Sequence, residues 1–184
     1  MKEENVDGIK VLNENQRVVL YFFIYSFLGW LLETIFCLVT LGVFNKRGFL
    51  YGPVCPMYGF AAVGMIQLLK KVKTNTLGRF SICMIAFTVF EYIVAVVLES
   101  LFGLRWWDYS NEVLNFQGRI SLPYSIAWGI VGEIFLDKIH PAIERGFKFI
   151  EDLIPNRILC GFIYASTVII LSDFIASIIK YVNV

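Results

Sequence analysis

Five acidic residues, Glu33, Glu91, Glu99, Glu133 and Asp173, lie inside stretches of the chain that are otherwise apolar, with no Lys or Arg mid-stretch to neutralise them. A carboxylate in hydrocarbon costs roughly 2.5 to 3.5 kcal/mol even on insertion scales, so each acid must be protonated, paired, or turned towards a polar interior. Held between helices, such groups can bind a cation, a proton or an amine. They can equally be structural, a protonated Glu bonding to Ser, Thr or Tyr on a neighbouring helix, and for any one acid the two readings stand side by side. Gly29 precedes Glu33, and Gly129 precedes Glu133, by one helical turn on the same face, which lets another helix approach the carboxylate closely. Glu91 and Glu99 would lie roughly 80° apart on one helix and border a common polar sector. Glu99 is near enough to the end of its run for Arg105 or Arg119 to reach it. Asp173, next to Ser172, reads as a helix-packing contact.

The elements that must position these acids are helices. With 58% hydrophobic and 17% charged residues and a mean hydropathy of +0.68, the chain is far more apolar than a soluble domain. About 20 apolar residues cross the hydrocarbon layer as a helix. That rule picks out Val18 to Phe44, Leu50 to Leu69, Phe80 to Gly103, Ile120 to Ile139 and Ile158 to Val182. The fold class is therefore an all-α polytopic transmembrane helical bundle of about five spans, with residues 18–184 as one transmembrane domain. Residues 1–17 form a polar amino-terminal segment, and the run after them is too long for a signal-peptide core, so an uncleaved first helix is expected.

Lys and Arg are richer in the segments holding Lys2, Lys10, Arg17, Lys70, Lys71, Lys73, Arg79, Lys138, Arg145, Lys148 and Arg157 than in those holding Lys46, Arg47, Arg105, Arg119 and Lys180. The positive-inside rule then places the amino terminus in the cytoplasm and the carboxyl terminus outside. Residues 140–155 carry Ile143, Phe147, Ile150 and Ile154 at helical spacing among charged residues, an amphipathic helix on the cytoplasmic surface. A net charge of +1 with no basic stripe leaves no reason to expect nucleic acid as a partner; the expected surroundings are the lipid bilayer.

A repeat runs through the chain. Asn45, Gly48, Pro53 and Tyr58-Gly59 recur as Asn115, Gly118, Pro123 and Trp128-Gly129 at one constant offset, and each copy follows a span with an acid, Glu33 or Glu91. The pattern is a parallel duplication of a helix-loop-helix hairpin, to be weighed against the ordinary reuse of Gly, Pro and aromatics near helix starts. Gly- or Pro-interrupted segments at matching places in two halves are the best pointer in sequence to a transporter's binding site. Pro53, Pro56 and Pro123 would free backbone groups at the outer ends of the second and fourth spans. Between the copies, Arg105-Trp106-Trp107-Asp108-Tyr109-Ser110 is either a passive aromatic belt at the membrane interface or a lid with stacking faces and one anionic group.

No nucleotide-binding GxxxxGK[ST], HExxH or GxSxG is present, so no enzyme activity, catalytic residue or cofactor is expected. Cys37, Cys55, Cys83 and Cys160 lack metal-ligand spacing, so no metal site is expected, and they read as small core hydrophobes, with a Cys37–Cys55 disulfide unsupported.

The segments FLGWLLE (Phe27 to Glu33), GFLYGPVCPMYGF (Gly48 to Phe60), WWDYS with Asn115 and GRI (Trp106 to Ile120) and SIAWG (Ser125 to Gly129) resemble the bacterial putative ABC-transporter type IV, or CmpB-like, membrane proteins. The resemblance covers roughly residues 20 to 135. It implies a small multi-pass, permease-like protein of the bacterial cytoplasmic membrane, and carries no substrate or catalytic residues with it. The expectation is a transport component with an acidic intramembrane site built from Glu33, Glu91 and Glu133. Trp30, Pro53, Gly59, Asn115, Arg119 and Trp128 would surround them, under a lid of Trp107, Asp108 and Tyr109. An ABC role would need a separate ATPase subunit, and so small a bundle would favour homo-oligomers. The alternative is a non-transporting membrane scaffold or sensor subunit that binds a lipid or peptide between its helices.

Overall fold

The computed structural model describes residues 12–44 and 46–182; residues 1–11 of the amino-terminal segment, and Asn45 of the first repeat copy, lie outside the described residues. The chain is about 75% helical. In order the elements are α1 (Glu14–Leu41), α2 (Pro56–Leu69), α3 (Thr76–Phe102), strands β1 (Asn115–Phe116) and β2 (Ile120–Ser121), α4 (Leu122–Ile134), a π-helical turn (Phe135–Ile139), α5 (His140–Leu153) and α6 (Asn156–Val182).

Three of them, α1, α3 and α6, are long and apolar enough to cross a membrane. Local chemistry sets their ends. Asn13 and Gln16 form a reciprocal capping box at the start of α1, and Asn75 caps α3 by accepting from the Gly78 N–H. Gly42 and Gly103 close the two helices in the left-handed conformation, at φ +68° and +66°. Between those ends the helices are apolar nearly all round, as helices solvated by lipid are. On α3, Ile85, Val89, Ile93, Val97 and Leu101 form an exposed ridge with one residue every four, a surface that water would not tolerate and acyl chains would.

Two compact units divide the chain: residues 1–63 with 143–184, and residues 64–142. In the first, α1 packs on α6, and its amino-terminal half meets α5 through the Tyr21–Phe147 edge contact, 5.1 Å between centroids, and the Arg17–Glu151 ion pair at 2.6 Å. The start of α2 runs alongside α1, and its position is revealing. The Cys55 N–H donates to the carbonyl of Ser26 at 2.9 Å, in the middle of α1. Leu41, where α1 ends, is fifteen residues further on, about 22 Å along the axis. Residues 46–55 therefore lead, without helical bonding, to the midpoint of α1, and α2 begins there.

Non-helical backbone at that depth leaves N–H groups in need of acceptors. The Asp173 carboxylate of α6 takes two of them, from Tyr51 at 2.8 Å and Gly52 at 2.7 Å, and also accepts from the Ser177 hydroxyl at 3.1 Å. Asp173 is thus a backbone clamp within this unit, a more definite role than generic helix packing.

In the second unit α3 and α4 pack antiparallel, with Gly129 against Phe80 and Gly132 against Cys83; a Cβ at either glycine would come within 2.5 Å of the facing side chain. The same need for backbone partners ahead of α4 is met by a two-stranded hairpin, Asn115 opposite Ser121 and Phe116 opposite Ile120. Gln117 (φ +56°) and Gly118 (φ +68°) turn the chain between the strands, both in the left-handed region that a tight hairpin turn demands.

Several sequence expectations are corrected by these details. The run from Leu50 to Leu69 is helical only from Pro56, and the run from Ile120 opens as a strand. The prolines do not interrupt helices. Pro53 lies in the descending segment, Pro56 is the first residue of α2, and Pro123 sits in the first turn of α4, where a missing N–H loses no intrahelical bond. The amphipathic segment is helical over His140–Leu153 and follows α4 through the π-helical turn without a loop. All four thiols are free, and Cys37, Cys55 and Cys83 are buried.

If Asp173 clamps the descending segment, Asp173→Ala leaves two N–H groups without their acceptor and should destabilise the detergent-solubilised protein by about 1 to 3 kcal/mol per group. Asp173→Asn, whose amide oxygen still accepts, should recover part of the loss; thermal unfolding followed by circular dichroism measures both.

Candidate carboxylate sites

Glu91 is the most deeply buried acid among the described residues, 4% exposed, on the face of α3 turned to α4. Its two oxygens have different donors. The Trp128 indole N–H reaches Oε2 from α4 at 3.0 Å, and the Tyr109 hydroxyl reaches Oε1 from the α3–β1 loop at 3.1 Å. An indole nitrogen can only donate, so Oε2 is held as an acceptor. The Tyr109 ring stacks on Tyr124 of α4 at 4.4 Å, which fixes the hydroxyl over the carboxylate. The loop of aromatics is therefore tied down onto the acid.

Other bonds pin the same loop to α3. Arg119 grips Glu99 with Nε and Nη2, at 3.0 and 2.6 Å, while Arg105 Nε reaches the other oxygen of Glu99 at 3.0 Å. The Trp107 indole donates to the Arg119 carbonyl at 2.9 Å, and the Tyr92 hydroxyl to Gln117 at 2.9 Å. Asn115 holds the turn: its amide donates to the Ser110 and Glu112 carbonyls, and its oxygen accepts from the Gly118 N–H. Asp108 is bonded within its own loop. It accepts from the hydroxyl and backbone N–H of Ser110, and those bonds hold its carboxyl below the usual 3.8. A small pocket lined by Glu99, Arg105, Trp106, Trp107 and Arg119 lies at this end of α3.

Glu33 occupies the corresponding place in the other unit. The Tyr58 hydroxyl of α2 donates to its Oε1 at 2.6 Å. Gly29, one turn before, is where the Tyr58 ring lies; a Cβ there would overlap the ring. Gly59 is buried against Ser26 and Phe22, with no room for a Cβ. Pro53 is exposed in the descending segment, and Trp30 stacks on Phe27 of its own helix at 6.0 Å, making no bond to an acid among the described residues.

The internal contacts of the two hairpins match position by position. Phe22 against Gly59 becomes Phe80 against Gly129, and Tyr58 bonded to Glu33 becomes Trp128 bonded to Glu91. Tyr58 seated on Gly29 becomes Trp128 edge-on to Phe87 at 6.2 Å. The first-helix residues are related by a shift of 58 and the second-helix residues by 70, so the copies differ by twelve extra residues in the second connection, which carries the tryptophan-rich loop. Gly48 and Gly118, matching positions, both have positive φ, at +87° and +68°.

Glu133 stands apart from this pattern. It pairs with Arg79 at 2.8 Å, and Arg79 also pairs with Asp137 at 2.9 Å. Antiparallel packing brings the first turn of α3 beside the last turn of α4, so an arginine that reads as part of a cytoplasmic loop reaches a glutamate that reads as intramembrane. Tyr58 was not among the candidate residues, although its repeat counterpart Trp128 was; the repeat itself was the signal that could have found it.

Trp128→Phe leaves a buried acceptor without its indole donor and should lower stability by about 1 to 3 kcal/mol. In a Glu91→Leu background the same change should lower it by clearly less, since the acceptor is gone; the double-mutant cycle measures the difference.

A family model described as "Putative ABC-transporter type IV" matches residues 20–178. No curated protein and no solved structure matches the chain.

Proposed function

Because the chain belongs to the putative ABC-transporter type IV family, we propose that it is a permease-like transport component of the bacterial cytoplasmic membrane, with Glu91 and Glu33 as carboxylates for a cation, proton or amine-bearing solute. The observation that carries this reading is Glu91 itself: a buried acid in an apolar helix, bonded by an aromatic donor from the neighbouring helix and by Tyr109 from the loop over it. Functional sites in membrane proteins are where ionisable groups persist against their solvation cost. Glu33 with Tyr58 repeats the arrangement, in keeping with binding groups at matching places in two halves. Tyr109 is the lid residue, and entry of a solute requires its hydroxyl to leave Glu91. The pairing of Glu133 with Arg79 favours a structural role for that acid.

In this reading the chain crosses the membrane five times, the short helices α2 and α4 completing their crossings with the non-helical segments ahead of them. The amino terminus is cytoplasmic, the carboxyl terminus is external, and a separate ATPase subunit supplies energy. The rival, a membrane scaffold or sensor subunit that moves nothing, draws on the fact that the acids already have protein partners.

A ligand that binds the folded state raises its melting temperature by mass action. Sodium, potassium or methylammonium, each compared with choline at equal ionic strength, should stabilise the purified protein. Glu91→Gln should reduce that response and the Glu33→Gln/Glu91→Gln double variant should abolish it. A folded double variant that responds to these cations as the wild type does would sink the carboxylate-site reading.

A further inference from the structure

Five basic residues, Lys46, Arg47, Arg105, Arg119 and Lys180, lie in the segments expected on the outer side of the membrane. Two of them, Arg105 and Arg119, are balanced by two acids: both pair with Glu99, and Arg105 also pairs with Asp108 at 3.8 Å. The other three belong to the first unit, and none has an acidic partner among the described residues. Two converge on one ring: Lys46 Nζ lies 4.5 Å from the centroid of Tyr51, and Lys180 Nζ, from the last turns of α6, lies 5.1 Å from the same centroid and 4.9 Å from that of Tyr181. Arg47 follows Lys46 in the chain, and its Nε is buried without a hydrogen-bond partner. Asp173, the acid bonded to the Tyr51 backbone, is occupied by the N–H groups of Tyr51 and Gly52 and the hydroxyl of Ser177.

The π-faces of Tyr51 and Tyr181 attract the ammonium groups but supply no negative charge. What is left, among the described residues, is an excess of positive charge around a half-exposed aromatic ring at one end of an apolar helix. Lys and Tyr in such a place sit at the depth of lipid headgroups. We infer that Lys46, Lys180 and Tyr51, with Arg47 beside them, bind the phosphate headgroup of an anionic lipid in the leaflet at the carboxyl-terminal end of α6. The two ammonium groups would bracket the phosphodiester, with the lipid chains lying along the exposed Ile175 and Ile179 of α6. A headgroup carrying its own ammonium would repel the lysines, so the preference is for lipids with net negative charge.

Native mass spectrometry of the purified chain with dioleoyl phosphatidylglycerol against dioleoyl phosphatidylcholine tests this. The wild type should retain the anionic lipid several-fold more, the Lys46→Gln/Lys180→Gln variant should lose the preference, and Lys46→Arg/Lys180→Arg, which keeps the charge, should retain it. Arg145→Gln, a charge change on α5, should leave the preference intact and controls for general electrostatics. Equal retention of both lipids by the wild type overturns the proposal, as does an unchanged preference in the folded Gln variant. Displacement of the lipid by millimolar glycerol phosphate would also overturn it, because the occupant would then be a soluble anion.

Discussion

A helix that starts beside the middle of a longer neighbour leaves bare N–H groups and an irregular approach segment whose backbone must find acceptors within the fold. The fold answers that constraint twice. Ahead of α2 the answer is long-range, a carboxylate on α6 and a carbonyl in the middle of α1. Ahead of α4 it is local, a two-stranded hairpin whose strands bond to one another. The positive φ of Gly48 and Gly118, the prolines at helix starts and the isolated Asp173 all follow from it. So does the placing of the acids, since each short helix presents an aromatic donor to its longer neighbour within its first two turns.

The matched hairpins make the difference between the copies informative. Where the first copy has a phenol the second has an indole, and where the first has a direct descent the second has twelve additional residues that bring Tyr109 onto the acid. One carboxylate is thus held by one described donor and the other by two. Duplication supplies a common frame, and the inserted loop makes the frame asymmetric.

Much of this was legible in the sequence. The long helices follow from the apolar runs, and the repeat is visible because Gly, Pro and aromatic residues are the types a turn and a close helix contact require. The level of residues 46–55 beside α1 was not legible, because Leu50 to Cys55 is as apolar as a helix and only the Cys55–Ser26 bond reveals it. Nor was the role of Asp173, since its partners are backbone groups that every residue type but proline carries. The Arg79–Glu133 pair was hidden by reading the start of α3 as a loop, when antiparallel packing makes it the level of the end of α4.

The indole of Trp128, placed to hold Glu91, also makes that acid observable. Three of the four tryptophans, Trp106, Trp107 and Trp128, belong to the second unit, and Trp30 alone belongs to the first. An indole whose N–H points at a carboxylate has emission and ring vibrations that depend on that neighbour's charge. With Trp30 silenced, the protein's own ultraviolet fluorescence comes from the unit holding Glu91 and the loop over it, so charge state and loop position there can be followed without an attached dye.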